Sequence, residues 1–103
     1  MSAAKPANRL AWRPQAQADR ERIFDYIAAD NPAAAIELDE HFEAEAERAR
    51  QNPLLYRPGR VRGTRELVAH PNYVMVYRVV SQAAAGGSLV EFLRVLHARQ
   101  QWP

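Results

Sequence analysis

The sequence predicts an α+β domain: an N-terminal short strand and an antiparallel helical hairpin packed on one face of a mainly antiparallel sheet. Helical periodicity is confined to the first half of the chain and strand-like segments fill the second half, a pattern typical of this fold class. A chain of 103 residues has the length of one domain and can bury a single core without disulfides or a metal. We therefore expect one domain over residues 1–103 in the order β-α-α-β-β-β, with residues 1–9 flexible.

The first strand and the first helix are predicted at residues 10–13 and 15–29, separated by Pro14. Ile23 and Ile27 lie four residues apart, the spacing that puts two side chains on one face of a helix. Two further residues are expected near this apolar stripe, Ala16 and Tyr26. Four charged residues are expected to face water: Asp19, Arg20, Glu21 and Arg22.

The second helix is predicted at residues 32–51. Asn31 is a favourable N-cap, Pro32 is a favourable first helical residue, and Asn52-Pro53 ends the helix. The link between the two helices is so short that they must run antiparallel. The apolar stripe of the second helix steps by three or four residues and consists of Ala35, Leu38, Phe42, Ala46 and Ala49.

Three strands are predicted in the second half, at residues 60–69, 73–80 and 89–98. The middle segment is mostly apolar at both odd and even positions, so both of its faces can be buried, as expected of a central strand. Turn residues at 70–72 and a loop at 81–88, which contains Ala-Ala-Ala-Gly-Gly, separate the strands. Alternation in the first segment places Val61, Arg65, Leu67 and Ala69 on one face and Arg60, Arg62, Thr64 and Glu66 on the other.

Charge is divided unevenly along the chain. Residues 1–52 hold seven basic and ten acidic residues, a net charge of −3, whereas residues 53–103 hold seven arginines and two acids, a net charge of +5. Arginine matches the paired oxygens of phosphate and carboxylate groups. The basic half therefore favours a polyanion or an acidic peptide as a partner, although a solvated surface has the same composition.

Several kinds of site are excluded by residue type and spacing. The chain has no cysteine, which excludes disulfides, thiolate metal sites and cysteine nucleophiles. His41, His70 and His97 lack the spacing of metal ligands, and no serine lies in a nucleophile motif. We expect no metal and no cofactor. No apolar run has the length of a membrane span, and no secretory signal is evident at the N-terminus.

Arginine, histidine and tyrosine residues on or beside the predicted strands fit the needs of metal-free RNA cleavage. Attack by the 2′-hydroxyl of the RNA needs a base, an acid, and cations around the phosphate. The candidate catalytic residues are Arg65, Glu66 as the base, and His97, or else His70, as the proton donor. The candidate RNA-binding residues are Arg60, Arg62, Arg78, Tyr77 and Trp102. Structural roles are the alternative for Arg65, Tyr77 and Trp102, and His97 has the alternative of a hydrogen-bonded edge residue.

Three segments resemble the RelE/ParE toxins of type II toxin–antitoxin systems. Residues 25–35 (DYIAADNPAAA) resemble the junction between the two helices of ParE-type members. Residues 57–67 (RPGRVRGTREL) with residues 73–79 (YVMVYRV) resemble the central hairpin, and residues 92–97 (FLRVLH) resemble the last strand. Taken in order, the segments extend the resemblance over about residues 10–102.

The resemblance implies a small cytoplasmic bacterial toxin silenced by a cognate antitoxin, a segment of which wraps around the helices and the sheet. RelE-like members cut mRNA on the ribosome, whereas ParE-like members act against DNA gyrase, a function tied to plasmid stabilisation. The hypothesis narrowly favoured is a ribosome-dependent mRNA endoribonuclease, and the alternative is a non-enzymatic inhibitor of DNA gyrase. Val68 and Asn72 stand where a ribonuclease member has a catalytic histidine and aspartate, and the helix junction is of the ParE type.

Overall fold

The helical hairpin and the sheet follow one another along the chain in the predicted order. The computed structural model describes residues 8–82 and 86–103. The elements are β1 (Arg9–Trp12), α1 (Pro14–Ala28), α2 (Pro32–Gln51), β2 (Arg57–Pro58), β3 (Arg65–His70), β4 (Tyr73–Ser81) and β5 (Ser88–His97). The sequence pattern did not predict β2, because two residues are too few to show alternation.

The five strands form one mixed sheet in the order β1-β5-β4-β3-β2. β1 pairs with β5 in parallel and all other neighbours pair antiparallel, so β4 is the central strand, as predicted. Both helices cover one face of the sheet, here called the helix face; the opposite face is the outer face. Because side chains alternate along a strand, Met75 and Tyr77 point to the helix face, whereas Val76 and Arg78 point to the outer face.

The core lies between the hairpin and the helix face. The Ala34 N–H donates to Asn31 Oδ1 at 3.1 Å, which confirms the predicted N-cap of α2. Trp12 stacks on Phe92 with the ring centroids 4.8 Å apart, and this contact joins β1 to β5 inside the core. The predicted stripe of α2 is also confirmed, with Leu38 half-buried and the other four residues buried: Ala35, Phe42, Ala46 and Ala49.

The prediction that four charged residues of α1 face water is wrong for two of them. Asp19 and Arg20 are buried, whereas Tyr26, expected near the apolar stripe, is exposed. Arg20 lies between the helices and donates to the carboxylates of Asp39 and Glu43 at 2.9 and 2.8 Å. Its buried charge is therefore compensated from α2, a relationship that periodicity within α1 cannot reveal.

Asp19 attaches α1 to the edge of β5. The pairing of β1 with β5 ends at Phe92. Beyond that point Asp19 accepts the backbone N–H of Val95 at 2.9 Å and two hydrogen bonds from Arg94, at 2.8 and 3.1 Å. One buried carboxylate thus satisfies an edge N–H and a guanidinium that β1 does not reach.

The strand predicted at residues 60–69 begins later than expected, at Arg65. A turn comes before it, closed by Thr64, whose backbone N–H and hydroxyl donate to the carbonyl of Val61 at 3.1 and 2.6 Å. Gly63 has a φ of 83°, in the left-handed region that favours glycine. The residues before Arg65 therefore leave the extended conformation that alternation predicted for them.

The first described residue is held in place, although it was expected to be flexible. Asn8 Nδ2 donates to the carbonyl of Arg50 at 2.9 Å, and the Ser88 N–H donates to Asn8 Oδ1 at 3.1 Å. Residues 1–7 and 83–85 lie outside the described residues, and with them most of the predicted flexible N-terminus and the centre of the predicted loop. In the described part of the chain, no helix is both long and apolar enough to cross a membrane.

Candidate functional site

The candidate residues lie at three separate places on the sheet. One group surrounds the start of β3, at the end of the sheet here called the loop end: Arg60, Arg62, Arg65 and Glu66. A second group lies on or beside the outer face: Arg78 and Trp102. The candidate acid, His97, lies at the opposite end of the sheet, here called the histidine end.

Glu66 is a structural carboxylate at the loop end. Its side chain is buried, and its Oε2 accepts the backbone N–H of Arg60 at 2.9 Å. Arg57 Nη2 lies 3.4 Å from Oε1, and Arg60 Nε lies 3.9 Å from Oε2. Two guanidinium groups and one N–H therefore occupy the carboxylate that the sequence suggested as a base, so it holds β2 and the turn against β3.

Arg60 and Arg62 lie on the turn before β3, not on a strand as predicted, and both are exposed. Arg60 is engaged by Glu66. Among the described residues, Arg62 forms no ion pair, and it stands at the tip of the turn next to Gly63. Its five N–H donors are therefore open to an anionic group of a partner.

The segment between α2 and β2 is held from the interior of the protein. The Tyr77 hydroxyl donates to the carbonyl of Pro53 at 2.6 Å. Arg65 Nη1 donates to the carbonyl of Tyr56 at 2.8 Å, and the Tyr56 and Tyr77 rings meet edge to face. We call residues 53–56 the dileucine loop. Because donors from the sheet hold its carbonyls, the side chains between them are presented to solvent from a fixed backbone.

The dileucine loop exposes two large aliphatic side chains side by side. Leu54 and Leu55 are 69% and 72% exposed, although Arg65 Nη1 also reaches the Leu54 carbonyl at 3.4 Å. Single exposed leucines are ordinary on protein surfaces, whereas an adjacent pair on a fixed loop forms a continuous apolar patch. Sequence reasoning missed this pair. The available signal was its position directly after Asn52-Pro53, where no helix or strand pattern calls for two leucines.

Tyr77 is a core residue, which corrects its prediction as an RNA-binding residue. Its side chain is fully buried and its hydroxyl is bonded to Pro53, so it has no surface for stacking on a base. Burial raises the pKa of Tyr77 to about 12, against the opposing effect of the nearby Arg65 charge. Arg65 is the half-buried cross-strand partner of Tyr77 on the helix face.

The outer face carries guanidinium groups over β4 and β5. Arg78 Nε donates to Glu91 at 2.6 Å, and Arg13 Nη1 lies 3.7 Å from the other oxygen of the same carboxylate. Arg94 lies over the ring of Trp102, with Cζ 5.4 Å from the centroid. Trp102 is half-buried, and its Nε1 has no hydrogen-bond partner among the described residues. Free N–H donors of Arg13 and Arg78 remain available to an anion there.

His97 is far from the other catalytic candidates. It pairs with Tyr73 across β5 and β4, whereas Arg65 pairs with Tyr77 across β3 and β4. The two positions are therefore roughly 13 Å apart along β4 and about 10 Å apart across it. Buried Met75 lies between them on the same face. The predicted acid and the predicted cation do not share one site.

The other two histidines serve the backbone near β3. His41 Nε2 is hydrogen bonded to the carbonyl of Ala69, and His70 Nδ1 accepts the N–H of Asn72 at 3.1 Å. The Nδ1 atom of His70 is thus engaged in the turn. Among residues 8–82 and 86–103, no three histidine or carboxylate side chains come together as a set of metal ligands.

Comparison with known sequences covers almost the whole chain. A family model described as "ParE toxin of type II toxin-antitoxin system, parDE" matches residues 10–102. The protein named "Putative toxin Y4kP" of Sinorhizobium fredii (strain NBRC 101917 / NGR234) is 35% identical over 96 residues, which are 92% of this chain and 93% of that protein. The match therefore includes the hairpin, the dileucine loop and the sheet.

Three solved structures are similar in fold. A chain of the "Chromosomal ParDE TA system from P. aeruginosa" has a TM-score of 0.74 and 23% identity, over 90% of this chain and 98% of that chain. The "YoeB/ParE toxin from Agrobacterium tumefaciens" has a TM-score of 0.61 and 14% identity, over 86% and 97% of the two chains. The toxin–antitoxin complex RelBE2 from Mycobacterium tuberculosis has a TM-score of 0.53 and 21% identity, over 95% and 98%.

Proposed function

The chain belongs to the ParE toxin family of type II toxin–antitoxin systems, and we propose that it arrests bacterial growth by binding DNA gyrase without catalysing a reaction. Its other partner is a cognate antitoxin. The observation that carries the proposal is the separation of His97 from Arg65 by the buried middle of the sheet. RNA cleavage needs the acid, the base and the cations around one phosphate, and these side chains cannot surround one.

The states of the other catalytic candidates support the same proposal. Arg65 is engaged with the dileucine loop, and Glu66 is enclosed by Arg57 and Arg60. A general base must be within reach of the proton that it removes, which a buried and doubly paired carboxylate is not. These residues act through the shape of the loop end, as suits a protein that binds its target.

A second candidate function is the ribosome-dependent mRNA endoribonuclease, which the outer face favours. Arg13 and Arg78 lie together there, beside Trp102 and the Arg94 guanidinium that is paired with Asp19. Cations next to a stacking surface fit a nucleic-acid backbone and a base. In this function arginines would stabilise the phosphate and no histidine would act as the acid.

The deciding experiment measures both activities with the same purified protein. DNA gyrase is assayed for supercoiling of relaxed plasmid with increasing amounts of the toxin, and new mRNA 5′ ends are mapped in a reconstituted translation reaction. We expect supercoiling to be inhibited and the mRNA to stay intact. Addition of the antitoxin should restore supercoiling, because a specific inhibitor is silenced by its partner.

The opposite result would identify the second candidate. New mRNA ends that require ribosomes and disappear in Arg78→Ala, with gyrase unaffected, would refute the gyrase proposal. Arg99→Ala is the matched control, because Arg99 is also exposed but lies beyond His97 at the other end of β5.

A further inference from the structure

We propose that the dileucine loop is the element with which the toxin docks on its target protein, inserting Leu54 and Leu55 into an apolar cleft with an acidic rim. The inference rests on the proposed function, under which that protein is DNA gyrase. It assigns the contact to a loop held by the sheet, and it gives Arg65 a positioning role there.

The loop is fixed before it binds anything. The carbonyls of Pro53, Leu54 and Tyr56 all accept hydrogen bonds from Tyr77 or Arg65. A further hydrogen bond, from the N–H of Leu55 to the carbonyl of Asn52 at 3.1 Å, closes the turn after α2. A loop held in its bound shape loses little conformational entropy on association, so more of the contact energy appears as affinity.

The two leucines select a protein as the partner, in preference to a nucleic acid. Isobutyl side chains make no hydrogen bonds and gain free energy only where apolar surface of a partner removes them from water. A phosphate backbone offers no such surface. Outside the two helices, Leu54 and Leu55 are the most exposed large hydrophobic side chains of the described residues, and they are adjacent.

The surroundings of the loop set the charge of the partner. The nine residues after the loop contain no acid and four arginines, namely Arg57, Arg60, Arg62 and Arg65. The next residue, Glu66, is buried and paired. The surface around the leucines is therefore positive, with Arg62 at its tip. Complementarity calls for aspartate and glutamate at the rim of the partner's cleft, where they also speed association.

A groove beside the loop is a second part of the proposed interface, into which a side chain of the partner would fit. It has a volume of about 510 Å³ and is lined by Leu54, Pro58, Thr64, Arg65, Val79 and Ser81, among others. Apolar walls with hydroxyl groups and one guanidinium suit an apolar side chain of the partner next to a carboxylate. The leucines and the groove together form a patch with both a projecting and a receiving part, as in well-packed interfaces.

The test replaces both leucines by serine in the full-length toxin and measures growth arrest on induction and inhibition of gyrase supercoiling. We expect the concentration of toxin for half-maximal inhibition to rise at least tenfold, and growth arrest to be lost at matched expression. The matched control is Ile36→Ser on α2, which is also exposed, at 50%, and should change inhibition less than twofold. Thermal unfolding should be unchanged in both variants, because these side chains are in water in the free toxin.

The charge of the rim is tested separately with Arg62→Glu. We expect inhibition to weaken severalfold at low salt, and the difference from wild type to shrink as salt is added. Arg99→Glu, the same change in charge at the histidine end, should have no such effect.

Each outcome decides the inference. Full inhibition by the folded leucine variant would overturn it, as would a variant that still arrests growth but is no longer silenced by the co-expressed antitoxin, since the loop would then be an antitoxin site. If wild-type toxin leaves gyrase active, the gyrase proposal fails, and growth arrest by the leucine variant still decides whether the loop docks on another target protein.

Discussion

The two ends of the sheet differ in how their exposed residues are held. At the loop end, Arg65 and Tyr77 reach outward from the helix face and hold the carbonyls of the dileucine loop. At the histidine end, His97 is exposed, and its Nδ1 accepts the N–H of Arg99, two residues further along the chain. The ring of Tyr73 meets the His97 ring edge to face, with the centroids 5.5 Å apart.

The loop end is therefore held by hydrogen bonds between residues far apart in the chain, whereas the hydrogen bond of His97 joins residues two positions apart. The loop end depends on donors that only the folded sheet supplies, and it presents apolar side chains on a fixed backbone. The imidazole at the histidine end caps a turn next to its own strand, and within residues 8–82 and 86–103 it has no carboxylate partner. We therefore expect loss of the donors Arg65 and Tyr77 to lower both stability and growth arrest, and changes at the histidine end to have little effect on either.

The largest effect on stability is expected for Arg65→Met, which keeps the length of the side chain but removes its donors. Two loop carbonyls lose a charged hydrogen-bond donor, so the free energy of unfolding should fall by about 2–3 kcal/mol. Growth arrest should weaken because the leucines are no longer held in position. Urea denaturation with an induced-growth assay measures both, and the exposed Arg99 at the histidine end provides the control, Arg99→Met, with stability and growth arrest unchanged. Lost arrest at unchanged stability would instead indicate direct contact of Arg65 with a target.

A smaller effect is expected for Tyr77→Phe, which keeps the ring in the core. The Pro53 carbonyl loses its donor, so the free energy of unfolding should fall by about 1–1.5 kcal/mol. Amide exchange at Leu55 should become faster while amides in the middle of β4 keep their protection, since only the loop is released. Equal acceleration throughout the sheet would show that the hydroxyl does not act on the loop alone.

The same hydroxyl predicts a loss of stability in alkali. The pKa of Tyr77 is raised to about 12 by burial, above the ordinary value near 10, so the folded protein holds this proton more tightly than the unfolded chain does. The resulting stabilisation is complete below about pH 10 and disappears as the pH rises towards 12. The difference in unfolding free energy between wild type and Tyr77→Phe should therefore fall between about pH 10 and about pH 12. A difference that stays constant over this range would contradict the buried, protonated hydroxyl.

The smallest effect is expected for His97→Ala. The change removes one exposed hydrogen-bond acceptor and one edge-to-face ring contact, so the free energy of unfolding should fall by less than about 1 kcal/mol. Growth arrest should be retained, because the proposed mechanism assigns His97 no chemical step. Loss of arrest from a variant with wild-type unfolding would revive the ribonuclease hypothesis and place its site at the histidine end.

The helices and the central strand were predictable because their signals are local. The stripe of α2 and the N-cap at Asn31 depend on spacing and on one neighbouring turn, and both are confirmed. The burial of Asp19 and Arg20 was not predictable, since their partners are Arg94 on β5 and carboxylates on α2. Charged residues indicate water until such a partner is known.

For the candidate site, the sequence predicted a basic surface better than it predicted what each residue does there. The basic second half and its arginines are present at the surface, yet Arg65 and Glu66 hold structure, and Tyr77 is inside the core. Alternation told which face each side chain of β3 takes. It did not tell that the loop after α2 would run across the ends of Arg65 and Tyr77 and receive their hydrogen bonds.

Residue order alone therefore decided the element types, the hairpin, the central position of β4 and the membership of the toxin family, because these follow from periodicity, caps and motifs a few residues long. The meeting of distant residues was decided by the folded sheet. Register across β3, β4 and β5 separates His97 from Arg65 and brings Tyr77 to Pro53, 24 positions earlier in the chain. Such meetings depend on which strands pair and in which register, and that is set by burial of the whole core.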